Sequence, residues 1–316
     1  MSRAAPAAAS ISPRGDLAVN VASWARHLRA SNLSANTVRT YLDSVGRLAA
    51  FLDDRGMPAD LATIRGEHVE SFIEHLLERW RPATAANRFV ALKVFFAWAA
   101  EEGEIAQSPM ARMRKPRIPE ERPDVLTPGQ LRVILAACEG QGFAERRDMA
   151  LVRVFIGTGA RLSEIANLRW APGDETTNDL DLDTGIIRVM GKGRRERVVY
   201  VGAKGIKALD RYVRLRSRHE AAGLPWLWLG RKGRLTDSGI AQAIRDRGAA
   251  AGVPMLHAHQ FRHSYAHTML AGGMQEGDLM QLAGWRSREV VARYAAATRS
   301  DRAIAAARRF NPGDDL

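Results

Sequence analysis

Residues 112–123 read RMRKPRIPEERP, and this stretch limits the possible folds more than any other in the chain. Pro116, Pro119 and Pro123 each lack a backbone donor and clash with the turn before them, so neither a helix nor a central strand runs through. The basic side chains around them keep the segment in water, as an exposed linker. The chain must therefore fold as two bodies, and 316 residues suffice for two domains with separate cores. The division expected is a disordered tail over 1–16, a helical domain over 17–111, the linker over 112–124, a second domain over 125–298 and a C-terminal helix or tail over 299–316.

Upstream of the linker, apolar residues recur at helical spacing four times. Leu17, Val21, Trp24 and Leu28 mark one helix. Val38, Tyr41, Leu42, Val45, Leu48 and Leu52 mark a second, starting after Asn32–Asn36 and ending at Gly56, where a left-handed cap is expected. Val69 to Trp80 and Pro82 to Ala100 give the third and fourth, the last stopping at Gly103. Arg39, Arg47, Arg88 and Lys93 take outward positions; each alone is a solvated face residue, and together they suit a DNA backbone.

Downstream, Thr127-Pro128-Gly129-Gln130 has the threonine, first-turn proline and third-position glutamine of a capping box. An apolar helix over 149–156 ends at Gly157-Thr158-Gly159, and 162–169 restarts as a helix. Ile186–Met190 and Arg197–Val201 are β-type runs around Gly191-Lys192-Gly193-Arg194-Arg195-Glu196, hence a hairpin. Two helices follow over 203–217 and 238–251, with PWLWL at 225–229 either a strand or a packing loop. Residues 258–310 read as successive helices broken at Gly272-Gly273 and Gly284. The fold class is mainly α with one small β-sheet.

The net charge of +12, with a pI near 10.6, asks for a polyanionic partner. Its distribution is uneven: residues 1–112 hold 13 Lys+Arg against 12 Asp+Glu, whereas 124–316 hold 30 against 21. A generally basic surface raises the pI without producing that skew, so nucleic acid is the favoured partner. The linker's Arg114 and Lys115 and the hairpin's Arg194 and Arg195 extend the candidate DNA contacts. One cysteine, Cys138, excludes an internal disulfide and fits a reducing compartment. No apolar run approaches the ~20 residues of a membrane span, and MSRAAPAAASISPRG lacks an apolar core of signal-peptide length. The expectation is a cytoplasmic protein without a membrane partner.

Chemistry concentrates in His259-Gln260-Phe261-Arg262-His263. On a helix, positions three and four apart share a face, so His259, Arg262 and His263 project together as donors plus a titratable base, suited to a phosphate that reacts. Arg161, Lys192 and Tyr294 are further candidates, each with a plain alternative. Arg161 can cap a helix or pair with Glu164, Lys192 in a Gly-Lys-Gly turn is ordinarily solvated, and Tyr294 suits a half-buried amphipathic position. His259, His263 and His267 raise zinc, but residues eight apart lie more than two turns away, HExxH is absent and no cysteine is near. Neither metal nor cofactor is expected.

Taken together, these elements resemble the tyrosine recombinase (phage integrase) family. The matching stretches are Gly157-Thr158-Gly159-Ala160-Arg161-Leu162-Ser163-Glu164, then Gly191-Lys192-Gly193 with Glu196-Arg197-Val198-Val199, then His259 to Ala266, and Leu282-Ala283-Gly284-Trp285 leading to Tyr294. Ser34-Ala35-Asn36-Thr37 with Tyr41, and 82–119, resemble the family's core-binding domain, so the likeness spans nearly the whole chain. It implies a helical SAM-like core-binding domain followed by a mixed α/β catalytic domain.

The resemblance implies roles that chemistry can examine. Tyr294 attacks the scissile phosphodiester, giving a 3′-phosphotyrosyl enzyme and a free 5′-hydroxyl, and the stored bond lets the strand rejoin without ATP. A tyrosine of pKa ~10 needs a base, for which His259 is the candidate, and a positive field. Arg161 and Arg262 grip the non-bridging oxygens with paired, permanently charged donors. Lys192 protonates the leaving oxygen. Glu164 orients its neighbours. Trp285 stands where many members carry histidine; its indole donates one N–H and shuttles no proton. His263 matches a histidine outside the reacting set and is expected to make a structural hydrogen bond. Partners implied are double-stranded DNA with a specific site and a homo-tetramer on paired sites, with 299–316 packing on a neighbouring protomer or folding back on its own. Two alternatives share the scaffold: a type IB topoisomerase, which needs no paired sites, and a catalytically silent DNA-binding regulator, which has no use for the full residue set.

Overall fold

The computed structural model describes residues 16–119, 123–191, 193 and 195–309. The tail over 1–15, Lys192, Arg194 and the last residues from Phe310 therefore lie outside the described residues. Two compact units divide between residues 121 and 122.

Among its described residues the first unit has four helices: α1 (Leu17–Ala30), α2 (Ala35–Asp54), α3 (Gly66–Arg79) and α4 (Pro82–Glu101), with a short 3-10 turn before α3. Ser34 starts α2 by accepting the Thr37 amide at 3.1 Å, and Pro82 occupies the first turn of α4. Gly56, just beyond α2, is left-handed at φ 62°. Trp24, Leu48, Leu52, Phe72, Phe89, Phe95 and Phe96 are buried together at the centre. Asp16, grouped with the tail by sequence, belongs to this unit: its carboxylate accepts the Leu61 amide at 2.7 Å. Residues 113–119 form neither helix nor strand.

The second unit begins with α5 (Pro128–Ala136), started by the Thr127–Gln130 capping box, then α6 (Phe143–Thr158) and α7 (Leu162–Ala166). α7 is shorter than the helix expected over 162–169. The Trp170 amide donates to Pro225 and Leu227 donates to the Leu168 carbonyl, and this pairing draws 168–170 out as an extended segment. Strands β1 (Ile186–Gly191) and β2 (Arg195–Tyr200) make an antiparallel hairpin with Ile186 opposite Tyr200 and Gly191 opposite Arg195. α8 (Ala203–Arg216) follows. The PWLWL stretch resolves as both of its alternatives, a loop that enters the two-residue strand β3 (Leu229–Gly230), paired with β4 (Gly233–Arg234). Buried Arg216 holds that loop by donating to the carbonyls of Ala222, Leu224, Trp226 and Leu227.

The chain closes with α9 (Asp237–Ala250), α10 (Ala258–Ala271), α11 (Glu276–Ala283) and α12 (Arg288–Arg309). α12 runs unbroken through residue 299, so the helix that carries Tyr294 is also the C-terminal helix. A main core joins α5 to α10 with the hairpin, and a smaller cluster of Tyr265, Leu270, Leu279, Val291 and Tyr294 ties α10, α11 and α12 together. No helix among the described residues is long and apolar enough to cross a membrane.

Candidate active site

The site assembles where the end of α6, the start of α7, the middle of α10 and the end of α11 meet. Gly159 caps α6 in a left-handed conformation at φ 57°, and a Cβ there would lie 2.5 Å from the Tyr265 ring. Only glycine meets both conditions. The turn it allows puts Arg161 directly before α7, where the Glu164 carboxylate accepts the Arg161 backbone amide at 2.7 Å and its Nη1 at 2.8 Å.

Glu164 is buried, with 1% of its side chain exposed. Arg197 on β2 donates to it from Nη1 at 2.7 Å and Nη2 at 2.8 Å, and from Nε to the Leu282 carbonyl at 2.8 Å. Burial alone would raise the Glu164 pKa, but hydrogen bonds and charge from Arg197 and Arg161 outweigh it and hold the carboxyl at about 2. Arg197 falls within a matching stretch, yet sequence reasoning assigns it no role. The available signal is an arginine inside an otherwise apolar half-strand, where a charged group needs a buried partner.

Arg262 is 2% exposed. Its Nη1 donates to the Gly159 carbonyl at 2.8 Å and its Nη2 to Ala283 at 2.6 Å. Two of the five guanidinium hydrogens thus fix the group, leaving three for an anion. Burial and the neighbouring Arg161 charge lower its pKa to about 10, so it stays cationic at neutral pH. Trp285 lies with its ring 5.0 Å from the Arg262 guanidinium carbon and stacks on Tyr294 at 5.1 Å, tilted by 10°.

Tyr294 is 4% exposed. Its hydroxyl meets Nδ1 of His263 at 2.5 Å. Burial and the nearby His259 and His257 charges push the His263 imidazole down to about 4, so it is neutral at pH 7 and shares a hydrogen bond with the phenol through Nδ1, as acceptor or donor according to its tautomer. Burial likewise raises the Tyr294 pKa, partly offset by Arg262 and Arg293. His259 sits one turn before His263, ring edge against ring face at 4.3 Å, with its side facing solvent. Partial burial of the ring, then the charges of Arg262, His257 and Arg161, lower its pKa.

The structure therefore brings Arg161, Glu164, His259, Arg262, His263, Trp285 and Tyr294 into one place, with His263 rather than His259 touching the tyrosine hydroxyl. Lys192 and Arg194 fall outside the described residues, and Arg195 is exposed at the start of β2. In the first unit Arg39 is exposed beside Asn36, and Lys93, Arg114 and Lys115 are exposed. Arg47 and Arg88 are already engaged: both donate to Asp43, at 2.9 and 2.8 Å. Among the described residues no three His, Cys, Asp or Glu side chains gather closely enough to hold a metal ion.

A cluster of fixed cations, a phenol and imidazoles is equipped to bind a phosphodiester and attack it. Comparison with known proteins points the same way. Residues 124–301 match the phage integrase family, and 21–103 match the phage integrase N-terminal SAM-like domain. The chain is 31% identical to the tyrosine recombinase XerC of Xanthomonas axonopodis pv. citri, covering 78% of this chain and 80% of that one. It is 30% identical to XerC of Roseiflexus castenholzii, covering 84% and 85%. In fold it is similar to the XerH recombinase bound to palindromic difH substrate, with a TM-score of 0.71 at 19% identity over 91% of this chain and 83% of that one. A lambda integrase dimer bound to a core site gives 0.67 at 16% identity over 88% and 94%.

Proposed function

The chain belongs to the phage integrase family of tyrosine recombinases and is a site-specific DNA recombinase, and we propose that it cleaves and rejoins strands through a covalent bond to Tyr294 without metal or ATP. The observation that carries this reading is Tyr294 stacked on Trp285, whose ring also lies against Arg262, a buried guanidinium with three uncommitted donors.

In this reading the scissile phosphate enters between Arg161 and Arg262, which bind its non-bridging oxygens and offset the charge that grows on the pentavalent phosphorus. Tyr294 leaves His263, and its oxygen forms the new bond to phosphorus as the 5′-oxygen bond breaks. The phenolic proton passes to His259, the imidazole on the solvent-facing side. Lys192 supplies a proton to the departing 5′-oxygen. Trp285 donates its indole N–H toward the phosphate and packs the tyrosine. Attack by the 5′-hydroxyl of another strand reverses the steps, and the bond energy kept in the phosphotyrosine makes ATP unnecessary. The burial of Tyr294 means that α12 must shift for the hydroxyl to reach a duplex phosphate. A cytoplasmic tetramer on paired sites, with Arg39, Lys93, Arg114 and Lys115 on the DNA backbone, completes the reading.

The test uses nicked duplexes selected by the protein from a random-sequence library. Wild-type protein should form a covalent protein–DNA adduct, and Tyr294→Phe should bind the same DNA and form none. Binding by wild type without any adduct overturns the reading in favour of a silent regulator. Relaxation of arbitrary supercoiled DNA with no site preference overturns it in favour of a topoisomerase.

A further inference from the structure

A second basic site lies away from the reacting groups. α6 and α8 run antiparallel: Phe143 at the start of α6 packs on Tyr212 near the end of α8, with ring centroids 5.6 Å apart. At the other end of α6, Gly157 approaches so closely that a Cβ there would meet the Val201 carbonyl at 2.4 Å. Along this seam a cleft of about 540 Å³ opens, lined by Arg146 and Arg153 from α6 and Lys204, Lys207 and Arg211 from α8, with Glu139 at its edge. Arg146 and Arg153 are half-buried, and the three α8 cations are exposed. Within each helix the outermost pair lies seven residues apart, a row of about 10 Å.

Among the described residues none of these five cations takes a side-chain hydrogen bond or an ion pair. Their neighbours do: Arg147 pairs with Asp148, and Arg214 with Asp210. Cys138, also lining the cleft, adds no negative charge, because burial pushes its thiol up to about 12. Five like charges around one cleft repel one another with only Glu139 to offset them, and a polyanion relieves that repulsion.

Orientation separates this cleft from the reaction centre. Phe155 of α6 stacks on Phe261 of α10, with ring centroids 5.7 Å apart. Arg153 is two residues earlier, about 200° around the helix, so the cleft opens on the flank of α6 turned away from α10. A phosphate held by Arg262 on α10 cannot also lie there. We propose that the Arg146–Arg153–Lys204–Lys207–Arg211 cleft binds the phosphate backbone of a second DNA segment, distinct from the one undergoing strand exchange. The occupant follows from the row of exposed cations, which suits successive phosphates of an extended backbone, and from a protein whose substrate is DNA. This inference rests on the recombinase reading for its partner but needs no role for Tyr294.

The experiment loads the protein with its selected site duplex, both covalently and by binding alone, and measures capture of a labelled duplex lacking the site as salt is raised. The comparison is wild type against the triple variant Lys204→Gln, Lys207→Gln, Arg211→Gln, whose substitutions are exposed and helix-compatible. Wild type should capture the second duplex. The variant should keep its adduct yield, while the slope of log affinity against log salt for the second duplex flattens by about 2–3, at ~0.9 for each phosphate that is no longer neutralised. The proposal is overturned if loaded wild type captures no second duplex or if the variant keeps the wild-type slope. Capture of tripolyphosphate or polyglutamate in place of the duplex overturns it as well, in favour of a free polyphosphate or an acidic protein partner. Loss of the adduct in wild type, with capture intact, counts against the covalent mechanism and leaves the cleft standing.

Discussion

Glu164 shows how a cationic site is kept folded. It is buried, and its two oxygens receive both the Arg161 and the Arg197 guanidinium groups. Its carboxyl is held at about 2 against an ordinary 4.5. A depressed carboxyl pKa stabilises the fold above the unfolded value, and the contribution fades as pH falls through that interval. The shift corresponds to roughly 3 kcal/mol at neutral pH. Glu164→Gln removes the charge and leaves the Arg197 guanidinium, only 9% exposed, without its counter-ion. Breaking a buried pair from one side costs about 3–5 kcal/mol. Denaturant unfolding of the variant at pH 7 should show a loss of that order, and the gap to wild type should begin to close below about pH 5, where the unfolded carboxyl takes its proton. A gap that stays constant as pH drops toward 3 would show that the carboxylate's charge is not what stabilises the site.

At the scale of elements, the hairpin and the helix ends are joined through one side chain. Arg197 leaves β2, grips Glu164 at the start of α7, and reaches the Leu282 carbonyl at the end of α11. Gly284 follows with φ 64°, and a Cβ there would press on the Arg197 side chain, 3.2 Å from Cδ and 3.3 Å from the guanidinium. A shift of β2 therefore moves the hairpin, Arg161 and the backbone before Trp285 together. Arg197→Lys keeps the charge but offers no planar fork for two carboxylate oxygens and a carbonyl. It should reduce the rate of adduct formation on nicked site DNA by about tenfold or more, a loss of ~1.4 kcal/mol in transition-state stabilisation, with DNA affinity little changed. Equal losses in affinity and rate would instead mark Arg197 as a direct DNA contact. Such coupling is hidden from the sequence, although the elements it joins are not. Periodicity and capping chemistry locate α2, α4 and α5, which carry their start signals in adjacent residues, whereas α6, expected over 149–156, extends over Phe143–Thr158. The four matching stretches locate Arg161, Glu164, His259, Arg262 and Tyr294. What local sequence does not encode is which buried charge meets which partner. Arg197 lies 33 residues from Glu164 and 85 from Leu282, and Arg216 donates to the Trp226 carbonyl 10 residues away. The contact of His263 with Tyr294, 31 residues away, has the same origin.

At the scale of the whole molecule, the proposed nucleophile and the proposed protomer contact fall on one helix, α12. It carries Tyr294 in its second turn, under the smaller core of the second unit, and then continues without a break to Arg309. Past the covered portion, Ala303, Ile304, Ala307 and Arg308 are exposed, and their i, i+3 and i+4 spacing places them on one face. Ile304 is 53% exposed, between Ala303 and Ala307 on a face that Arg308 flanks with a charge. A continuous helix also changes how the assembly role is tested. Removing residues from 299 onward would leave Tyr294 near a frayed end, so loss of activity would not distinguish assembly from catalysis. Ile304→Glu leaves the helix intact and places a charge on that face. If the face packs on a neighbouring protomer, burying an unpaired carboxylate there is strongly unfavourable. Sedimentation of the variant on paired site DNA should then show the monomer-bound complex accumulating at the expense of the tetramer, while adduct formation by the bound monomer persists. Unchanged assembly would mean that this end of α12 stays on its own protomer.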